Sequence, residues 1–376
     1  MANPGPGRSP ALQGWLRARV RVTIDPVHAR SRRWRRGLAV SGLTLLVTVV
    51  LLELGLRWTV GPVRPGNVTS VPRALIQDSA LPGLRYELRP NAEGVQEFGS
   101  DPRGYFDPGA RLTYHVNSLG FRGPETTRAK PEGVFRIVAL GDSVLFGTGV
   151  RDQDVLASVL QRLLDTEGRR SEVLNLGVFG YDTFEESVLF RRVALDFDPD
   201  LALFVFVLND TNAVGGRAFE AFNETGERSF LRRASVLWDH VAARASRRSA
   251  LAELVADYER GFAADAPGWI RAQEALEKVR AAAEKRGLPV ALVLFPLLWE
   301  LDEDHPFAAI HAQVAATARA LGFHVLDLLP AFIGQDGTAL WVHPANQHPN
   351  ERAHALAAQA IERFLVEEGL LEGRGR

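Results

Sequence analysis

Residues 134–150 read VFRIVALGDSVLFGTGV. The apolar, partly β-branched run 134–140 stops abruptly at Gly141-Asp142-Ser143, and an amphipathic segment follows from about Asp152. A short buried strand, a glycine break and then a helix is how an α/β protein presents a side chain at the carboxyl edge of a parallel sheet. Glycine, aspartate and serine all favour turns, so the tripeptide alone defines only a turn. Its meaning rests on whether the rest of the chain repeats the same rhythm.

The rhythm does recur. After Ser143 the apolar pairs Val155-Leu156, Val159-Leu160 and Leu163-Leu164 fall at helical spacing. Further strands are predicted at 172–176, 201–208, 289–295 and 324–328, with helices at 184–197, 306–321 and 350–367. The run LALFVFVL at 201–208 is continuously apolar, as expected for a strand buried on both faces of a parallel sheet. Five strands alternating with helices predict a three-layer α/β/α sandwich with right-handed crossovers over residues 131–370. Residues 211–286 interrupt the alternation with helical stretches rich in Ala, Arg and Glu, carrying Trp238, Tyr258 and Trp269. They read as a helical insertion, either a cap beside the site or helices that pack on the sheet.

The amino end differs from the rest. Residues 1–36 hold nine arginines (Arg8, Arg17, Arg19, Arg21, Arg30, Arg32, Arg33, Arg35 and Arg36) against one acid, Asp25. An uncharged stretch, 37–52, follows directly, and Glu53 and Arg57 stand at helical ion-pair spacing near its far end. Residues 37–58 approach the length that crosses a bilayer, with Trp34 and Trp58 at the two ends. The basic leader is long and no small-x-small site follows, which argues against a cleaved signal peptide. The segment therefore reads as a transmembrane signal anchor. The arginine bias places 1–36 in the cytoplasm and the remainder on the extracytoplasmic, periplasmic side.

Residues 59–130 read as a linker and a small extended module. Gly61-Pro62-Val63-Arg64-Pro65-Gly66 cannot continue a helix. Residues 112–116 alternate with a strand period, and Asn117-Ser118-Leu119-Gly120 supplies a turn. His115 reads as a strand residue. The chain's net charge of −1 gives no reason to expect nucleic acid as a partner. The absence of cysteine excludes a disulfide framework, thiol catalysis and cysteine-ligated zinc.

Several reactive groups each follow a predicted strand, so they can converge at one sheet edge. Ser143 follows the first. Gly180 follows the second, where a missing side chain lets a backbone N–H come close to a reacting carbon. Asn209 follows the third, and its amide can donate to an oxyanion. His348, in HPANQHPN at 343–350, stands just before the last helix, which Pro349 is suited to start. His343 is the rival base, His354 falls on the last helix, and His305 and His311 lack metal-ligand spacing. Asp142 reads as a turn-stabilising carboxylate and Asp210 as a partner of the loop after its strand.

The set Gly141-Asp142-Ser143, Asn175-Leu176-Gly177-Val178-Phe179-Gly180, Asn209-Asp210 and His348-Pro349-Asn350 resembles the SGNH (GDSL-type) hydrolase superfamily in order and spacing. Similar membrane-anchored bacterial members also carry a segment like Asn117-Ser118-Leu119-Gly120-Phe121-Arg122-Gly123. The resemblance spans roughly 136–365 and implies a flavodoxin-like sandwich, hydrolysis of carboxylic esters, and no metal or organic cofactor. Carried over by position, it implies Ser143 as nucleophile and His348 as general base. It implies an oxyanion hole from the Ser143 N–H, the Gly180 N–H and Asn209.

Two positions depart from the family pattern. Where a glycine usually precedes the asparagine by two residues, this chain has Val207, which reshapes the pocket floor. The aspartate expected two or three residues before the histidine is replaced by Asn346 or Ala345, and neither carries a charge. Asn346 and Asp327 are the candidate orienting residues, with Asp336 nearby in sequence, and a Ser–His dyad held by a backbone carbonyl would also fix the tautomer. The expectation is an extracytoplasmic serine esterase acting on an ester-containing small molecule, a lipid or an acylated glycan. Two alternatives stand beside it: an O-acyltransferase acting on a glycan, and a non-catalytic glycan- or lipid-binding protein.

Overall fold

The computed structural model describes residues 26–59, 71–211, 235–344 and 346–372. Arg8, Arg17, Arg19 and Arg21, the linker at 61–66, part of the expected insertion (212–234) and Ala345 lie outside the described residues. The chain divides into two compact units, one of residues 1–62 and 230–240, the other of 63–229 and 241–376.

The first unit holds helix α1 (Pro26–Thr59). From Trp34 to Thr59 its mean hydropathy reaches 2.2 with none of that window buried, so length and composition suffice to cross a membrane. Glu53 and Arg57 form the expected i,i+4 pair at 2.7 Å. The Glu53 carboxylate also accepts from Ser235 Oγ at 2.9 Å and from the N–H groups of Val236 and Leu237 at 2.8 and 2.9 Å.

In the second unit, the chain first forms two antiparallel ribbons. One pairs β1 (Ile76–Asp78) with β2 (Tyr86–Leu88), the other β3 (Glu93–Glu97) with β4 (Arg111–His115). The main sheet follows, from β5 (Phe135–Gly141), β6 (Ser171–Asn175), β7 (Leu201–Phe206), β8 (Val290–Leu294) and β9 (His324–Asp327). All its pairings are parallel and the order is β6-β5-β7-β8-β9. Every residue of β5, β7 and β8 is buried; β7 and β8 are unbroken apolar runs, and in β5 the one charged residue, Arg136, pairs with Glu172 at 2.6 Å. Numbered within the sheet, the order is 2-1-3-4-5, the flavodoxin-like arrangement, and the direction in which strands are added reverses between the parallel neighbours β5 and β7.

Helices cover both faces. They are α2 (Ser143–Phe146), α3 (Leu156–Thr166), α4 (Thr183–Arg192), α5 (Val236–Gly261), α6 (Pro267–Glu284), α7 (Ala308–Ala320), α8 (Leu329–Phe332) and α9 (Glu351–Glu367). α3 packs on α9, and α4 on α6. A short hairpin, β10 (Trp341–His343) with β11 (Asn346–Pro349), precedes α9 and carries an irregular register between Trp341 and His343. The last helix starts later than its sequence suggests. Pro349 closes β11, and Asn350 is the N-cap, its side chain accepting from the N–H groups of Arg352 and Ala353. The same Asn350 donates to the carbonyls of Ala339 and Trp341, at 2.9 and 3.1 Å, which welds hairpin to helix.

Candidate active site

Ser143 is the first residue of α2, two residues beyond the end of β5 and beside the switch in strand order where open parallel sheets bind ligands. Asp142 caps that turn, accepting from Val144 N–H at 2.8 Å. Its other oxygen accepts from Asn209 Nδ2 at 2.9 Å and lies 3.3 Å from Ser143 Oγ. Burial pushes the Asp142 carboxyl above its usual range, against four hydrogen bonds that lower it. Asn209 sits on a 3-10 turn after β7, so one amide hydrogen serves Asp142 and the other is left for a ligand.

The hairpin β10–β11 delivers His348. Ser143 Oγ lies 2.9 Å from His348 Nε2, and His348 Nδ1 lies 2.6 Å from Asn346 Oδ1. An amide oxygen only accepts, so Nδ1 keeps its hydrogen and Nε2 presents its lone pair to the serine hydroxyl. The His348 backbone N–H donates to the same Asn346 oxygen at 3.1 Å, which fixes the side chain. Burial pushes the His348 pKa from 6.5 down to about 4, with no compensating carboxylate. The ring is therefore a neutral base across ordinary pH.

Asp327 is not at this site: it ends β9 and meets His311 Nδ1 at 2.9 Å. Asp336 caps the turn at Gly337–Leu340, accepting from Thr338 N–H. His343, the rival base, lies 3.0 Å from Ser100 Oγ, and His354 Nδ1 accepts from Leu156 N–H at 2.9 Å on the buried face of α9. His115 pairs with Asp152 at 2.7 Å, and His305 turns toward the Glu300 carbonyl. Asp210 accepts from Val207 N–H at 2.8 Å within the loop after β7. Among the described residues no group of His, Cys, Asp and Glu is arranged to hold a metal ion.

Ser143, Gly180, Asn209 and His348 line one cavity of about 370 Å³. Its wall is otherwise largely apolar, from Val207, Tyr258, Phe295, Leu297, Leu298 and Trp299. Tyr258 comes from α5 in the helical insertion, so this part of the insertion borders the site. Asp210 and Glu186 are fully buried, and burial raises both carboxyls well above the usual range, followed by the charge of Glu186 for Asp210 and of Asp142 for Glu186. Sequence reasoning placed Tyr258 in the insertion without assigning it to the cavity and missed Trp299, a loop aromatic indistinguishable from core.

The sequence profile of the GDSL-like Lipase/Acylhydrolase family matches residues 139–356, more than half of the chain. The chain belongs to that family and is an ester-bond hydrolase. Similar solved structures include TesA, at 15% identity and TM-score 0.39, covering 61% of this chain and 97% of that one. LAE5, an alpha/beta hydrolase enzyme from the metagenome of Lake Arreo, Spain, is 17% identical with TM-score 0.40, covering 64% and 97%. A catalytic mutant of Axe2, an acetylxylan esterase from Geobacillus stearothermophilus, is 13% identical with TM-score 0.40, covering 64% and 97%. No curated protein matches the chain.

Proposed function

We propose that the chain hydrolyses carboxylic esters through an acyl-enzyme on Ser143, with His348 as general base and Asn346 as its orienting group. The observation that carries this reading is the relay of two contacts, 2.9 Å from Ser143 Oγ to His348 Nε2 and 2.6 Å from His348 Nδ1 to Asn346 Oδ1. Oγ attacks the ester carbonyl carbon while its proton passes to Nε2, and the carbonyl π pair moves onto oxygen. The N–H groups of Ser143 and Gly180 and the free Asn209 amide hydrogen receive that oxyanion. Collapse expels the alkoxide, which takes the proton from Nε2. Water then repeats the attack on the acyl-enzyme, losing a proton to Nε2, and the carboxylic acid leaves as Oγ regains that proton. A p-nitrophenyl ester should give a burst of p-nitrophenol stoichiometric with enzyme, and a fluorophosphonate should label the peptide containing Ser143. Labelling elsewhere, or none, sinks the reading.

The apolar wall supports a substrate with an apolar acyl group longer than acetyl. Each buried methylene contributes about 0.8 kcal/mol, roughly a fourfold gain in kcat/KM per added carbon until the cavity is full. A series of p-nitrophenyl esters from acetate to decanoate should therefore rise and then level. A profile highest at acetate would refute this.

The anchor and its orientation belong to the same proposal. The apolar helix and the preceding arginines support a single-pass chain with the catalytic unit on the extracytoplasmic, periplasmic face. Alkaline phosphatase fused after residue 376 should be active in cells and β-galactosidase at that position inactive. The reverse pair would invert the orientation.

A further inference from the structure

The segment that precedes the family-matched region touches the loop around Gly180. Tyr86, on β2, donates its hydroxyl to the Phe179 carbonyl at 2.6 Å. Its neighbour Arg85 donates through Nη2 to the Gly180 carbonyl, while Nε and Nη2 bind Glu185 at 2.8 and 2.6 Å. Tyr181, in turn, donates its hydroxyl to the Tyr86 carbonyl. Two consecutive residues, Arg85 just before β2 and Tyr86 at its start, thus grip the two consecutive carbonyls of Phe179 and Gly180.

The carbonyl of Phe179 and the N–H of Gly180 belong to one peptide group. In a trans peptide these bonds point in opposite directions, so holding the carbonyl on one side sets where the N–H points on the other. Gly180 lines the cavity, is exposed, and its N–H takes no protein partner among the described residues. Its φ is +78°, and a Cβ there would stand 2.7 Å from the Tyr86 hydroxyl, so the close approach of these two groups itself requires glycine. A hydrogen bond accepted by a peptide carbonyl also polarises that peptide's N–H and strengthens it as a donor.

We infer that Tyr86 is a positioning residue of the oxyanion hole, its hydroxyl holding the Phe179–Gly180 peptide so that the Gly180 N–H faces the reacting carbonyl. The inference rests on the serine-esterase reading above and adds to it a residue from outside the family-matched region. Direct loss of an oxyanion donor costs about 10²–10³ in kcat, and loosening one through its own peptide is a fraction of that.

The test is Tyr86→Phe in the full-length protein, with Ser143→Ala in parallel, using p-nitrophenyl butyrate and an alkyl boronic acid that forms a tetrahedral adduct on serine. Expected for Tyr86→Phe are a kcat lowered about tenfold, KM within twofold of wild type, an unchanged thermal midpoint, and boronic acid affinity weakened by the same factor as kcat. Wild-type kcat in Tyr86→Phe overturns the inference. So does a fall in kcat accompanied by a lower thermal midpoint with boronic acid affinity unchanged, since that is a packing role only. If Ser143→Ala keeps wild-type activity, the serine reading itself has failed, a result distinct from either.

Discussion

Replacing Ser143 or His348 by alanine is expected to lower kcat on a p-nitrophenyl ester by about 10⁴–10⁶-fold, and the double variant to be hardly worse than either single one. The reason is geometric. The two side chains share one hydrogen bond of 2.9 Å, and removing either end leaves the other without a task. The cavity and oxyanion donors survive both substitutions, so KM should move little. Steady-state kinetics with a burst measurement checks this. Additive losses in the double variant would mean that serine and histidine act in separate steps.

Asn346 is the second residue with a large expected effect, and two variants separate its roles. Asn346→Ala removes the acceptor on Nδ1, so the neutral ring no longer favours the tautomer with a free Nε2 lone pair, and kcat should fall about 10²–10³-fold. Asn346→Asp keeps the acceptor and adds a negative charge beside the ring. An adjacent opposite charge raises a histidine pKa by about one to three units. The base acts only when neutral, and its pKa is held near 4 in the native protein. The acid limb of kcat/KM should accordingly lie near pH 4 for the wild type and move upward in Asn346→Asp. A pH–rate profile decides it, and an unmoved acid limb in Asn346→Asp would show that another group titrates.

Much of the framework was legible because the main-sheet strands are short and largely apolar, β7 and β8 continuously so. β5, β7, β8 and β9 fall within about two residues of the runs that predict them. The candidate groups were legible by position, since Ser143, Gly180 and Asn209 each follow a predicted strand and His348 stands just before the last helix. What orients His348 was not. Asn346 and Asp327 both stand near it in the chain, and choosing between them depends on an irregular hairpin register and on His311 occupying Asp327. Neither fact leaves a local periodic trace. The same holds for Tyr86, whose contact with Phe179 joins positions 93 residues apart. Arg122, read only within the segment 117–123 that resembles membrane-anchored members, is fully buried, with Nη1 donating to the carbonyls of Phe146 and Gly147 at 2.7 and 2.6 Å and Nε to Asp152 at 2.8 Å. A short motif in sequence gives no sign that its arginine points inward.

The proposed nucleophile and its base are separated by 205 residues, and the hairpin bearing the histidine lies between β9 and α9. Contacts between such distant positions form late, because the long loop between them must close first. On the proposed reading, Ser143 therefore stays unactivated until the hairpin has docked, so a partly folded chain is chemically mute and its reactivity arrives with the finished fold.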